Sequence, residues 1–240
     1  MTKIKKNKKE STVYSEITPL VKPLTISEME TNAEKRLSII TNEFKTGFAF
    51  IRNYPKSVTI FGSTRFKQNN PYYKKARQIA KMLSHEGFAV VTGGGPGIME
   101  AANHGAIDGG GKEHSIGMCI KLPQEQTTNP YVMKEINFEY FFSRKVMLSF
   151  SAEAYIYFPG GFGTLDEFLE IITLIQTGKI EKVPIILVGN TYWKPLESFF
   201  KNILYKKYKT ISEKDMSLYT ITEDNKEILQ IVKNAPLRRE

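Results

Sequence analysis

Twice in this chain a short apolar run stops at a cluster of glycines and restarts at once as a helical pattern. The first is Phe88-Ala89-Val90-Val91, which passes through Thr92-Gly93-Gly94-Gly95-Pro96-Gly97 into Ile98–Ile107. The second is Ala154-Tyr155-Ile156-Tyr157-Phe158, which passes through Pro159-Gly160-Gly161-Phe162-Gly163-Thr164 into Leu165–Gln176. Strands joined through helices of ten or more residues pair in parallel by right-handed crossovers, and a parallel sheet needs cover on both faces. This one feature excludes all-β and all-helical architectures.

The rest of the chain repeats the alternation. Val58-Thr59-Ile60-Phe61 reads as a buried strand closed by Gly62. A helix over Tyr73–Glu86 follows, with Ala76, Ile79, Ala80 and Leu83 on one side. His114–Ile120 and Pro184–Val188 are further strands, and Leu218–Ile221 an edge strand. Leu196–Tyr205 and Asn225–Lys233 are further helices, and Gly178 is placed to cap the helix that ends at Gln176. The expected fold is α/β, a Rossmann-like doubly wound parallel sheet with helices on both faces and an N-terminal helical extension. Residues 1–24, polar and lysine-rich, read as a flexible basic tail. Residues 25–55 form an amphipathic helix, with Ala33, Leu37, Ile40, Phe44, Phe48 and Ile51 on one stripe and Pro55 ending it. That helix packs on the domain or on a second subunit. Residues 56–235 make a single nucleotide-binding catalytic domain.

Composition narrows the classes. With 240 residues and 41% apolar content the chain can bury a real core. No stretch reaches the roughly 20 apolar residues that span a bilayer, so no membrane partner is expected. The N-terminal lysines are followed by no apolar segment of a secretory signal. The one cysteine, Cys119, cannot form an internal disulfide or a cysteine metal cluster, as suits a cytoplasmic protein. The net charge of +9 invites a nucleic-acid reading, but it is spread along the chain without a helix-turn-helix, zinc-finger or RNA-binding signature. A solvated lysine-rich surface is the preferred account, and a nucleic-acid partner is not expected.

Parallel sheets bind ligands at the carboxyl ends of their strands, so the two glycine loops are the places to look. Glycines let backbone N–H groups approach an anion closely, and a helix amino terminus adds partial positive charge. A single glycine is explained by a tight turn; four of the five positions from Gly93 to Gly97 are not. Position 98 is isoleucine where a dinucleotide fingerprint needs a third glycine, and no Lys-Ser or Lys-Thr pair closes the loop as in a P-loop. A small phosphate is therefore the expected ligand. In the second loop Thr164 supplies a hydroxyl, and Asp166 and Glu167 follow it. A carboxylate beside a phosphate cradle would repel the ligand unless it were aimed past the phosphate, at a developing positive charge.

The two loops together, with Gly62-Ser63, Arg144-Lys145 and Leu174-Ile175-Gln176-Thr177-Gly178-Lys179, resemble the LOG (Lonely Guy) family from about Ser57 to Trp193. Its members are cytokinin riboside 5′-monophosphate phosphoribohydrolases and bacterial AMP-cleaving relatives. The resemblance implies that Glu167, last acid of the Pro-Gly-Gly-x-Gly-Thr-x-x-Glu motif, and Arg144 are catalytic. It implies that Gly62, Ser63, Gly93, Gly94, Gly95, Gly97, Lys145, Gly160, Gly161, Gly163 and Thr164 bind substrate and its phosphate. It further implies no metal, no organic cofactor, and a homodimer or larger homo-oligomer with active sites near the interface. Phe141-Phe142-Ser143 precede Arg144-Lys145 where short plant-type members carry Met-His-x. With the N-terminal helix and Leu122–Gln126, this resembles the longer bacterial branch and leaves adenine and prenylated adenine both open as the released base. An older label for such sequences, lysine decarboxylase, finds no pyridoxal-phosphate lysine to support it.

The activity so implied is hydrolysis of the N-glycosidic bond of a nucleoside 5′-monophosphate to free base and ribose 5-phosphate. Glu167 would stabilise the oxocarbenium-like ribose and orient or deprotonate water. Arg144 would fix Glu167 or the ribose hydroxyls, although residue type alone reads it as a structural ion pair. A non-catalytic nucleotide or cofactor carrier on the same fold is the alternative. Ser63 and Arg65, Gln124, Asn129-Pro130, His104 and the Phe138–Phe142 aromatics are weaker candidates, each with an ordinary turn, surface or packing explanation.

Overall fold

The computed structural model describes residues 24–121 and 128–236. The expected basic tail, except for its last residue, and the Leu122–Gln126 segment with Gln124 lie outside the described residues. The chain divides into two units, Met1–Ile39 and Ile40–Glu240. Of the first, the described part is the amino-terminal portion of helix α1 (Ile26–Ile51), exposed throughout and including Ile26, Met29 and Leu37.

In the second unit the described residues form seven strands: β1 (Ser57–Phe61), β2 (Ala89–Thr92), β3 (Ser115–Ile120), β4 (Lys134–Phe138), β5 (Ala154–Tyr157), β6 (Ile185–Leu187) and β7 (Thr220–Ile221). They pair only in parallel, in the order β4-β3-β2-β1-β5-β6-β7. The chain moves outward from β1 to β4 and then returns to the other side of β1 for β5. The β1/β5 boundary is thus the point where the strand order reverses, the crevice in which open sheets bind ligands. The doubly wound architecture expected from the alternation is the one observed.

Side chains of successive strand residues go to opposite faces and build two cores. On one face Val58, Ile60, Val90, Ala154 and Ile156 pack with α2 (Pro71–His85), α3 (Ile98–Asp108) and α7 (Asn225–Lys233). On the other, Phe61, Val91, Tyr155 and Tyr157 pack with α4 (Phe141–Ser149), α5 (Phe162–Gln176) and α6 (Asn190–Phe199). Phe168 of α5 is fully buried; its ring lies edge-on to Trp193 at 5.4 Å and to Tyr157 at 5.5 Å. Burial of such a side chain stabilises the fold by about 2–3 kcal/mol.

Four elements depart most from the sequence reading. β4 and α4 were not anticipated. β4 is an edge strand whose residues are mostly exposed, so Lys134-Glu135-Ile136-Asn137 lacks an apolar signature. Helix α5 begins at Phe162 rather than Leu165, because Gly161 rather than a side chain occupies its amino cap and Gly163 and Thr164 already lie in its first turn. Helix α6 begins at Asn190 and carries Pro195 inside it, so the proline does not delay its start.

Candidate active site at the carboxyl ends of the central strands

The ends of β2, β1 and β5 are neighbours, and backbone hydrogen bonds stitch their loops together. The Ser63 N–H donates to the Pro159 carbonyl (3.0 Å), the Ile98 N–H donates to the Ser63 carbonyl (3.0 Å), and the Phe158 N–H donates to the Phe61 carbonyl (2.9 Å). Gly62-Ser63 therefore sits between the two glycine loops and ties each to the other. Both loops end as glycine caps of helices, Gly97 for α3 and Gly161 for α5, and neither cap supplies a side-chain hydrogen bond. Two helix amino termini thus open on the same end of the sheet without a capping side chain, the arrangement that suits an anion.

The first loop is braced from below. Asn129, 6% exposed, donates from Nδ2 toward the carbonyls of Gly94 (3.1 Å) and Gly95 (3.0 Å) and toward Asn103 Oδ1 (3.0 Å). Thr92 Oγ1 donates to Asn103 Oδ1 (2.7 Å) and accepts from the Gly94 N–H (3.0 Å). Asn129 had an ordinary turn as its plainer reading; its contacts make it the support of the loop. Gly97 holds φ +73°, and a Cβ there would strike the Ser63 carbonyl. Gly93 is required for another reason: a Cβ would collide with Nη2 of Arg144.

Arg144 reaches that position from α4. Its Nε donates to the Met118 carbonyl at the end of β3 (2.7 Å), which orients the guanidinium against Gly93. Burial pushes Arg144 down from its usual value, and Glu167 opposes the shift. Glu167 lies in the first turns of α5. Its Oε2 is wholly covered and finds no hydrogen-bond partner among the described residues. Burial raises its carboxyl from the usual 4.5 to about 7, against the pull of Arg144 and Lys145 and with the help of Glu170 and Asp166. Arginine and acid therefore each oppose the other's displacement.

Lys145 ties the two helices. Its Nζ lies 2.8 Å from Asp166 and 2.8 Å from Glu170. Burial lowers its affinity for a proton, but the two carboxylates outweigh that and its value is raised. The acid beside the cradle that posed a conflict in the sequence, Asp166, is thus neutralised locally, and Glu167 is left as the uncommitted one.

The remaining expected residues fall around this centre. Thr164 is buried over Gly160, whereas Gly161 and Gly163 border open space. Thr64, Arg65, Lys67, Asn69, Gly97 and Glu100 line a 680 Å³ cleft beside the first loop. In it Glu100 accepts from the Tyr73 hydroxyl (2.8 Å). His104 stacks on Tyr131 with ring centres 3.8 Å apart, away from both loops in its contacts. Phe138 is core, and Phe141 and Phe142 are exposed. A separate, more apolar cavity of about 550 Å³, bounded by Ile51, Phe150, Tyr155 and Val183, contains none of these residues. Among the described residues no group of three or more His, Cys, Asp or Glu side chains is placed to hold a metal ion. No described helix is long and apolar enough to cross a membrane.

Fold and site together define a class: parallel α/β proteins with two glycine turns at the carboxyl ends of the central strands and a half-buried acid and arginine beside them. A sequence profile described as "Possible lysine decarboxylase" matches residues 99–232, more than half of the chain. The chain belongs to this family, the LOG family whose motifs its loops carry. Among its relatives, the rice cytokinin riboside 5′-monophosphate phosphoribohydrolase LOG is 37% identical over 132 residues, 53% of this chain and 53% of that protein. The match thus spans about half the length of the rice relative. The cytokinin riboside 5′-monophosphate phosphoribohydrolase of Rhodococcoides fascians is 27% identical over 157 residues, 63% of this chain and 77% of that protein. Among solved structures, the molybdenum cofactor carrier protein of Chlamydomonas reinhardtii superposes with a TM-score of 0.52 at 21% identity, covering 74% of this chain and 96% of that one. That likeness is one of fold.

Proposed function

We propose that this chain hydrolyses the N-glycosidic bond of a nucleoside 5′-monophosphate, AMP or a cytokinin riboside 5′-monophosphate, releasing the free base and ribose 5-phosphate. The observation that carries the reading is the covered, unpartnered Oε2 of Glu167 beside the stitched glycine loops. A buried acid with nothing to bond is costly, about 1–3 kcal/mol, and is retained where it serves a ligand. The rice and Rhodococcoides relatives, both cytokinin riboside 5′-monophosphate phosphoribohydrolases, agree with it.

In this reading the amides of Gly93, Gly94, Gly95 and Gly97, of Gly62 and Ser63, and of Gly160, Gly161, Gly163 and Thr164 provide the cradle for the 5′-phosphate. Lys145 belongs to the expected binding set, and reaches a phosphate by exchanging one of its two carboxylate partners. Phosphate binding energy then places the ribose at the acid. As the bond from ribose to base lengthens, positive charge grows on the sugar, and the Glu167 carboxylate stabilises it and takes the proton of the attacking water. The departing base leaves with the bonding pair and takes a proton from solvent, and Glu167 releases to solvent the proton it took from water, so that one water is consumed and the acid is restored. Arg144 holds the acid and the ribose hydroxyls in register. The reaction belongs to the cytoplasm, where the Cys119 thiol stays reduced.

We further place the working form as a homodimer or larger homo-oligomer, because Phe141 (61% exposed), Phe142 (48%) and Phe162 (92%) stand beside the site uncovered. The second reading, a non-catalytic carrier, takes its prompt from the Chlamydomonas fold and predicts nucleotide binding with no base released.

The deciding experiment incubates the protein with AMP, other nucleoside monophosphates and isopentenyladenosine monophosphate and follows free base. Base release that vanishes in Glu167→Ala, with nucleotide binding kept, supports the hydrolase. Tight binding without turnover in the wild type replaces it with the carrier.

A further inference from the structure

The helix that carries Arg144 begins without a cap of its own. Tyr140, at the amino cap of α4, offers no side-chain hydrogen bond. The missing acceptor comes from about a hundred residues earlier in the chain. Glu43 of α1, 6% exposed, accepts from the backbone N–H of Glu139 through Oε1 and from the hydroxyl of Ser143 through Oε2. Ser143 is completely buried and immediately precedes Arg144. The Arg144 N–H in turn donates to the Tyr140 carbonyl (3.2 Å), so the clamped turn is the one that sets the direction in which the arginine leaves the helix.

We infer that Glu43 is a positioning residue for Arg144. Its two oxygens fix the first turn of α4 at both ends, at the Glu139 amide and the Ser143 hydroxyl. An acid at a helix amino terminus is also favoured by the helix dipole. The far end of Arg144 is already held at the Met118 carbonyl and against Gly93, where there is no spare room. A turn of α4 released at its start therefore swings the guanidinium relative to Glu167, and misplacement by about 1 Å can cost about a hundredfold in rate. Charged residues on an amphipathic helix ordinarily face solvent; this one faces the amino end of the site helix.

The inference rests on the hydrolase reading, so its test has one arm that needs turnover and one that does not. Glu43→Ala and the milder Glu43→Gln are made in the full chain, each alone and with Arg144→Ala. The expected result for Glu43→Ala is a kcat about ten- to a hundredfold lower with KM changed less than twofold. Glu43→Gln, which keeps one acceptor and the side-chain volume, recovers most of the rate. In the Arg144→Ala background, loss of Glu43 costs no further rate, since residues acting through one another are not additive. Equal fractional losses with and without Arg144, or an unchanged kcat, overturn the inference. The second arm follows the Arg144 Nε–H resonance in nitrogen-15-labelled protein, assigned by its loss in Arg144→Lys. It shifts or broadens in Glu43→Ala and much less in Glu43→Gln; a resonance that stays in place in Glu43→Ala overturns the inference. A wild type that releases no base defeats the hydrolase reading alone, and the resonance then decides the role of Glu43.

Discussion

Glu167 combines two properties that rarely share one carboxyl group: its Oε2 is wholly covered, and that oxygen is left without a donor among the described residues. Its displacement from 4.5 to about 7 has consequences for rate and stability. If the carboxylate is the working form, kcat/KM rises with pH and levels off above an apparent value near 7. Glu167→Gln removes that limb and lowers kcat by about a hundredfold or more, with phosphate affinity preserved. Stability moves the other way. A folded-state value above the unfolded one means that the folded protein keeps a proton the unfolded chain releases, so stability falls as pH rises from about 4.5 to 7. The full penalty, at most about 3 kcal/mol, applies above that window. Glu167→Gln is thus expected to melt higher than the wild type at pH 8, by about 2–4 °C per kcal/mol, with the difference shrinking toward pH 5. Thermal melts at the two pH values check it. A variant less stable at pH 8 shows the acid to be satisfied in the native protein.

Between elements, the loop after β2 depends on a side chain that comes from beyond β3. Removing the Asn129 amide takes a donor from the carbonyls of Gly94 and Gly95 and from Asn103 Oδ1, although Gly94 keeps the Asn129 N–H and Asn103 keeps the Thr92 hydroxyl. Asn129→Ala is expected to cost about 1–3 kcal/mol in urea unfolding and to weaken AMP binding in calorimetry. Unchanged AMP affinity in a destabilised variant would mean the brace serves the fold and not the loop. This contact marks how far the sequence could be read. The glycine loops, six of the strands and the acid of the second loop were legible because each is written in consecutive residues. Gly62-Ser63, Arg144 and Lys145 were legible only through resemblance. Asn129 and Glu43 act across 34–35 and 96–100 positions, where no local pattern marks the pairing. β4 escaped because an edge strand needs few apolar residues. α4 escaped because its nine residues give an apolar stripe little room.

At the scale of the whole molecule the exposed apolar surface bears on association. The exposed aromatics on α4 and α5 stand close to the site, and the amino-terminal portion of α1 separately exposes Ile26, Met29 and Leu37. Phe162→Ser combined with Phe141→Ser is expected to shift the sedimentation coefficient toward that of a monomer and to lower base release along with it. A wild type that sediments as a monomer at micromolar concentration ends the oligomer proposal. The surplus of basic charge, +9 over the chain, remains compatible with a solvated surface. The chain also contains a single tryptophan, Trp193, fully buried and edge-on to Phe168, the residue that follows Glu167. That lone indole is a native optical reporter: its emission should be blue-shifted in the folded state and move to the red when α5 loosens. A ligand that reorganises the turn bearing the acid can then be followed by eye of a fluorimeter, with no label attached and no second chromophore of its kind to confuse the signal.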